Sequence, residues 1–418
     1  MFGPFTALLK NSQQTIQYNG NRIFKPIKDI KKMKIRSRKI QEIISNRRYW
    51  TAIQNINNTI FFETCEFFKK LKAKFVALPL ITRMISSPGA ALIDILKLKG
   101  KAKKIALETI PVALRWFNLD SPVFLAESSQ LYLEIALIQE KVNQVFSIYN
   151  SFRKEKADAT HLCEFHHIEY EGQVTQEENI KIIKKLLSSL IKALLERNEE
   201  ELRYFLSKDD LEDLYFLTKR NAFAQITLKE ALNLLYENTG NKKYLKFTSL
   251  NFGAWEEVKI TEILGGKFVI VSEYPLEEIP FYQAPKEPKD NENKKIIKLN
   301  KKKSILAKIV DGRIVGNNSD IIFPGYREVV GSGHRVRSAE EAEWQIKNLL
   351  CNLLNLPKNE VSKIMKWYEP YIEIRKSPFY KETSGFGLGW ERLLQGILRT
   401  PTIIDVTPFP RVHFSISP

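Results

Sequence analysis

Only three cysteines, Cys65, Cys163 and Cys351, occur in 418 residues, far apart and odd in number. This argues against a disulfide framework or a cysteine zinc site and points to a reducing compartment, the cytoplasm. No apolar run approaches the roughly 18 to 20 residues that a membrane span needs. The N-terminus also lacks the compact apolar core of a secretion signal, so neither a membrane protein nor an exported one is expected. No repeat with a period of about 20 to 50 residues is visible, which argues against a solenoid. Acids are the scarcer charge, 48 Asp and Glu against 65 Lys and Arg, for a formal net charge of +17. That balance suits a polyanionic partner such as RNA or a phosphate-rich substrate, or else reflects lysines that only solvate the surface.

What is present is enough for a packed core: 44% of the residues are hydrophobic and 27% charged. Residues 22–39 hold nine Lys or Arg and one acid, an arm that either contacts nucleic acid or a membrane surface or stays a solvated tail. From about 41 to 74 apolar residues recur at spacings of three and four, which predicts a long amphipathic helix leading into FVALPLI, a short strand ending at Pro79. SPGAAL (87–92) is a turn signal and 128–141 reads as a helix. Over 176–238 the run ENIKIIKKLLSSLIKALLE has a strong helical period and predicts an inserted helical hairpin. GGKFVIVSEYP reads as a strand, 284–304 as a polar excursion, and 303–333 as successive strands parted by Asp-Gly and Gly-Asn turns. A helix over about 338–355 follows. The expected fold class is α+β, a largely antiparallel sheet with helices on one side.

The stretch SFRKEKADATHLCEFHHIEYEG (151–172) sets an arginine, several glutamates, three histidines and an aromatic between apolar residues. A strand, a loop and a returning strand would turn alternate side chains toward one surface. Activating an amino acid with ATP builds negative charge on the α-phosphate, which guanidinium groups and magnesium must meet. Arg153 on the first strand and Arg392, just after GFGLGW, are candidates for that work. Gly385, Gly387 and Gly389 would let backbone pass close to a planar base or ribose, although the run is neither a dinucleotide fingerprint nor a P-loop. Asp320 and Glu328 flank DIIFPGYRE, and two hard oxygen ligands suit magnesium. His161, His166 and His167 lack a cysteine partner or a helical pair, so they read as polar contacts or satisfied core histidines.

Three ordered segments then carry a resemblance. SFRKE with HLCEFHHIEYE resembles motif 2 of class II aminoacyl-tRNA synthetases, GFGLGWERLLQGIL with DVTPFPR resembles their motif 3, and the long helix and strand ending at Pro79 look like motif 1. ESSQLYLE and EVVGSGHR are similar to the aspartyl/asparaginyl subgroup. The resemblance implies a catalytic domain over about 41–418, preceded by the basic arm of residues 1–40, and a homodimer. It implies ATP and Mg2+, with Arg153 on the α-phosphate and the substrate carboxylate, Glu155 on the adenine amino group, His161 on the γ-phosphate and Phe165 stacked on adenine. Arg392 would clamp the triphosphate, Asp320 and Glu328 would hold magnesium, Gln130 and Glu169 would meet the α-amino group, and Arg335 the end of the substrate side chain. Leu133 stands where aspartyl enzymes carry a lysine, which favours asparagine over aspartate.

The chain also departs from the pattern. A basic arm stands where the subgroup has an anticodon-binding barrel, SSPGAALID lacks the glutamate that closes over substrate, Thr160 replaces an arginine, Arg327 replaces a glycine, and GSGHR replaces GGSQR. EPYIEIRKSPFYKETSG looks closer to the archaeal asparagine synthetase-related paralogue. The expectation from sequence is therefore an adenylate-forming ligase that passes an Asp- or Asn-like acyl group to ammonia, an amine or another small molecule. The alternative is charging of tRNA with the basic arm in place of a barrel, and a third reading is a non-catalytic RNA-binding relative.

Overall fold

The computed structural model describes residues 17–18, 21–22, 39–86, 93, 123–155, 158–351 and 358–413. The basic arm and the SSPGAALID loop lie almost wholly outside these residues. Eight strands form the main sheet, numbered here in chain order: β1 (Lys74–Phe75), β2 (Gln144–Phe152), β3 (Glu164–Gly172), β4 (Phe223–Thr227), β5 (Phe268–Ser272), β6 (Asn318–Ile322), β7 (Glu328–His334) and β8 (Ser384–Gly389). Their spatial order is β1-β2-β3-β8-β7-β6-β5-β4. Pairing is antiparallel from β2 through to β5 and parallel only where β1 and β4 add at the two edges. This is an α+β sheet flanked by helices.

Strand alternation decides what each face does. In β3, Ile168 and Tyr170 are fully buried in the main apolar layer, where Tyr170 stacks on Phe68 and Phe386. That layer is supplied by helices α1 (Arg47–Lys70) and α3 (Gln176–Arg197), the second started by a complete capping box between Thr175 and Glu178. One helix was expected over 41–74; instead Lys39–Ser45 and α1 are parted at the non-helical Asn46, a weak helix former. Helices were also expected on one side only. In β5, however, Phe268 and Ile270 join the main layer while Val269 and Val271 join a second cluster under α4 (Leu228–Thr239). Both faces are therefore covered at that end, and the other face of β3, β8 and β7 carries the polar side chains described below.

The stretch 176–238, read as an inserted hairpin, is built into the domain instead. Ile183, Leu186, Leu187, Leu190 and Ile191 of α3 are fully buried in the main layer, and residues 223–227 supply the edge strand β4. Each such buried Leu or Ile contributes about 1.5–3 kcal/mol, too much for a detachable appendage. The polar excursion carries a small three-stranded sheet, Lys294–Lys298, Ser304–Val310 and Arg313–Ile314. Its Asp311-Gly312 turn has φ of 46° and 79°, the left-handed pair that a two-residue hairpin needs. No helix among the described residues is long and apolar enough to cross a membrane.

Candidate active site

The polar face of the sheet is floored by glycine. His167, Glu169 and Glu171 of β3 stand opposite Gly389, Gly387 and Gly385 of β8. Gly387 and Gly385 in turn face Gly331 and Gly333 of β7, and Gly331 faces Asp320 of β6. From Gly331 to Gly333 and from Gly385 to Gly389 the two central strands thus present no side chains on this face, and acids and arginines rise around the gap. A Cβ at Gly385 would collide with the Tyr170 carbonyl oxygen, the Glu171 carboxylate and the Arg335 guanidinium. Gly385 is therefore required by the neighbouring strand backbone and the charge pair beside it.

A bulge places the carboxylates of Asp320 and Glu328 on this same face of the sheet. Ile321 pairs with Val330, but Ile322 pairs with Glu328, so Val329 is the extra residue. Glu328 is three positions from Gly331 and would otherwise point to the opposite face; instead its Oε1 lies 3.1 Å from where a Gly331 Cβ would be, with Asp320 Oδ1 at 3.8 Å. Burial, then the neighbouring Glu328 charge, pushes the Asp320 carboxyl well above its ordinary range, against a hydrogen bond from Tyr274. Among the described residues no three His, Cys, Asp or Glu side chains gather as a metal cluster.

Two connected hollows lie over the floor. The larger, about 390 Å³, is lined among others by Gln130, Glu169, Gln283, Asp320 and Arg335. The smaller, about 90 Å³, is lined by Arg153, Glu155, His161, Phe165 and Arg392. Arg153, His167, Glu328 and Gly387 line both. All ten residues singled out from sequence are therefore gathered at one place, four in the larger hollow alone, four in the smaller alone, and Arg153 and Glu328 in both. The smaller hollow is too small for a nucleotide as it stands. Arg153 lies over the Phe165 ring, its guanidinium carbon 5.4 Å from the ring centre.

The phosphate-like end is rich in unbalanced charge. Arg392, in the first turn of α7 (Trp390–Leu398), donates to the Glu328 carbonyl oxygen at 2.9 Å. Burial, and then Arg327, lowers its pKa. Arg153 Nε is buried without a partner. His167 is held well below its usual range by burial and then by Arg153 and Arg392, and its Nδ1 meets Ser151 Oγ at 2.7 Å. His161 is tied by Nδ1 to Asp158 at 2.8 Å. Burial raises the Asp158 carboxyl, yet the His161 hydrogen bond, the His161 charge, Thr160 and Arg327 together bring it down to about 2.

The other end is paired internally. Glu171 takes both Nε and Nη2 of Arg335, at 3.0 and 2.8 Å, and neither side chain is more than 3% exposed. Beside them helix α2 (Gln130–Ala136) and helix α6 (Glu369–Lys376) bring together Glu134 and Arg375, a pair with no exposure at all. Helix α5 (Ala254–Ile263) brings Glu257 to Arg327 at 3.1 Å. Glu169 accepts from Ser128 Oγ at 2.8 Å, while burial pushes its carboxyl up to about 7 against Tyr149, Ser128 and Arg335. Gln130 Oε1, Glu169 Oε2 and Gln283 Oε1 are buried acceptors with no partner.

Sequence reasoning missed several of these groups. Glu171 was in phase with His167 and Glu169, so strand alternation could have found it. Glu134 and Arg375 are separated by 241 positions and had no such signal. Leu133 does not line either hollow; it is fully buried with Ala136, Leu137 and Val145, so its link to the substrate side chain is corrected. Two departures from the family pattern prove to be neighbours, since Arg327 Nη1 donates to Thr160 Oγ1 at 3.4 Å.

A glycine-floored, largely antiparallel sheet with this set of arginines and carboxylates defines an adenylate-forming class of ligase, and the chain belongs to the family of class II tRNA synthetases (D, K and N), whose model matches residues 35–413. Within it the chain falls in the aspartyl/asparaginyl subgroup, and it is an ATP-dependent aminoacyl-tRNA synthetase-like enzyme. It is 26% identical over 377 residues to the asparagine–tRNA ligase of Ureaplasma parvum serovar 3, covering 87% of this chain and 70% of that one. Against the asparagine–tRNA ligase of Lactobacillus gasseri it is 28% identical over 385 residues, covering 90% and 74%. The asparaginyl-tRNA synthetase of Pyrococcus horikoshii complexed with asparaginyl-adenylate superposes with a TM-score of 0.68 at 26% identity, over 89% of this chain and 70% of that one. The Entamoeba histolytica asparaginyl enzyme, at 18% identity and a TM-score of 0.65 over 93% and 72%, shares the fold.

Proposed function

We propose that the protein joins asparagine to ATP to form asparaginyl adenylate and pyrophosphate, and then passes the asparaginyl group to tRNA. The observation that carries this reading is the single glycine floor on which Arg153 and Arg392 face one hollow and Gln130, Glu169 and Arg335 the other. Tight positioning and fixed charge suffice for such chemistry, without a covalent enzyme intermediate. Glu169, Gln130 and Gln283 offer unpartnered acceptors to an ammonium group and an amide, and Arg335 offers its remaining nitrogen to a carbonyl oxygen. Arg153 and Arg392 would meet the charge that grows on the α-phosphate and its leaving pyrophosphate, with His161 and Glu155 at the outer end of that hollow and Phe165 beneath the base.

The donor set fits a divalent cation. Asp320 and Glu328 are two hard carboxylates on one face of the sheet, the charge of Glu328 raises the Asp320 carboxyl, and magnesium takes few protein ligands and keeps several waters. When bound it would supply charge neutralisation of the phosphates, held by these two side chains.

Acceptance by tRNA, in place of the small-molecule acceptor expected from sequence, rests on the relatives, which are named as ligases of asparagine to tRNA. Phe61, Phe62, Phe75, Leu80 and Ile81 are exposed apolar side chains on and just after α1, and they support a homodimer through this surface. The test is asparagine-dependent pyrophosphate exchange, followed by addition of purified tRNA. Exchange with asparagine and a charged tRNA are expected. No exchange with asparagine would sink the adenylate step, and exchange without charging would return the acceptor to a small molecule.

A further inference from the structure

We propose that Arg327 is a positioning residue for the nucleotide: acting through Thr160 and Asp158, it sets how the loop before β3 presents His161 to ATP, and it ties that loop to the strand end carrying Glu328. The inference rests on the nucleotide reading of the smaller hollow given above and adds a residue that the reading does not use.

Arg327 immediately precedes β7, in a turn closed by the Phe323 N–H, which donates to the Arg327 carbonyl oxygen at 3.0 Å. Its guanidinium reaches two ways. Nε donates to Glu257 Oε2 at 3.1 Å, and Nη1 donates to Thr160 Oγ1 at 3.4 Å. Donor and acceptor chemistry then fixes the direction of each further bond. The single hydroxyl proton of Thr160 goes to Asp158 Oδ1 at 3.1 Å, which leaves a lone pair for Arg327. The same Asp158 oxygen takes the Thr160 N–H at 2.7 Å and meets His161 Nδ1 at 2.8 Å. With its pKa down at about 2, Asp158 is a carboxylate that only accepts, so His161 Nδ1 carries a hydrogen. His161 Nε2 is then the atom turned toward Glu155, 3.8 Å away on the wall of the hollow.

The opposite side of Arg327 is tied to the strand. Glu257 Oε2 also accepts the Glu328 N–H at 2.9 Å, and the Glu328 carbonyl oxygen accepts from Arg392. The loop, β7 and α7 are thus joined through one guanidinium and one carboxylate. Burial works against the Arg327 charge, but Glu257, Asp158 and Glu328 outweigh it, so acids hold this cation from the loop side and from the strand side. The path of the loop backbone has supports of its own, since Gln395 Nε2 and the Ile403 N–H both donate to the Ala159 carbonyl oxygen at 2.8 Å. Loss of the Arg327 link should therefore turn the Thr160 and His161 side chains without unfolding the loop. Both of these side chains line the smaller hollow, so the effect should fall on ATP.

The experiment measures ATP binding to the full chain by calorimetry, together with the KM values for ATP and for asparagine in pyrophosphate exchange. Arg327→Lys keeps a cation beside Glu257 but lacks the fork that reaches Thr160 at the same time. Thr160→Val removes the hydroxyl and leaves the Arg327–Glu257 pair in place. Each should raise the Kd and KM for ATP about tenfold, the worth of one such hydrogen bond, and leave the KM for asparagine within about twofold. Thr160→Ser keeps the hydroxyl and should bind ATP within about twofold of wild type. The double variant Arg327→Lys/Thr160→Val should bind ATP no more weakly than either single variant, because both cut the same link. Losses that multiply to about a hundredfold in the double variant, or an unchanged Kd for ATP in folded Arg327→Lys, overturn the proposal. If Arg327→Lys does not fold, Arg327→Met/Glu257→Gln, which strands neither charge of the pair, takes its place in the same cycle. A wild type that binds no ATP overturns this proposal together with the nucleotide reading, whereas a wild type and variants that bind ATP equally overturn this proposal only.

Discussion

The two ends of the site solve opposite electrostatic problems. At the amino-acid end every strong charge except Glu169 has a partner inside the protein: Arg335 with Glu171 and Arg375 with Glu134. At the phosphate end like charges crowd together: Arg392 is depressed by burial and Arg327, Asp320 is raised by burial and Glu328, and Arg153 leaves a buried nitrogen unmatched. The first end is organised before anything binds, and the second is balanced only by what binds. Removing a charge should therefore have opposite effects on stability at the two ends.

The largest effect is expected at the paired end. Glu171→Gln strands Arg335 where its side chain is only 3% exposed, and breaking such a pair costs about 3–5 kcal/mol. Chemical denaturation should show that loss, and a cost below about 1 kcal/mol would mean that the pair is not what organises this end. Next in size, Arg392→Ala should cut asparagine-dependent exchange by about 10²–10³-fold, the usual loss when a charge-stabilising donor is removed. Its melting temperature should barely change, because burial and the Arg327 and Arg153 charges oppose the attraction of Glu328 and Glu257, and Arg392 gives up one bond to a carbonyl. Exchange at the wild-type rate would remove Arg392 from the mechanism.

Asp320→Asn should then produce the contrasting sign. The Asp320 carboxyl is raised in the folded protein, so folding holds its proton above the ordinary value of 3.8, where the unfolded chain releases it. That cost is present at neutral pH and vanishes as pH falls through the unfolded value. The variant should accordingly be more stable than wild type near pH 7, indistinguishable below about pH 3, and impaired in magnesium-dependent exchange. A loss of stability at pH 7 would erase the contrast between the two ends.

How much of this was legible in the sequence follows the same division. The phosphate-end residues lie in short contiguous segments, 153–165, 320–328 and 385–392, and those segments could be read together with the sheet that carries them. Arg153, Glu155, His161, Phe165 and Arg392 do line one hollow. The paired end is assembled from α2, β3, β7 and α6, and a partner 241 positions away leaves no local pattern. The bulge at Val329 was equally invisible, since the seven residues between Asp320 and Glu328 do not say which face each will take. The helical stretch after motif 2 was misjudged for a related reason: its apolar period was clear, but a period does not say whether the partner is a second helix or the back of a sheet.

Glu169 belongs to neither arrangement, and it gives the smallest effect and the finest probe of the comparison. Burial lifts its carboxyl from an ordinary 4.5 to about 7, despite hydrogen bonds from Tyr149 and Ser128 and the Arg335 charge. In the free protein it is thus protonated below about pH 7, and it would have to ionise to hold an ammonium group. Raising the pH between those two values destabilises the free fold, because the unfolded chain has already released the proton; a bound ammonium reverses that cost. The KM for asparagine in pyrophosphate exchange should therefore rise about tenfold for each unit that pH drops below 7 and level off above it. Glu169→Gln should flatten the profile at a high KM. A wild-type KM that ignores pH between 6 and 8 would place the substrate ammonium elsewhere, and would leave the paired end with no charge of its own to offer.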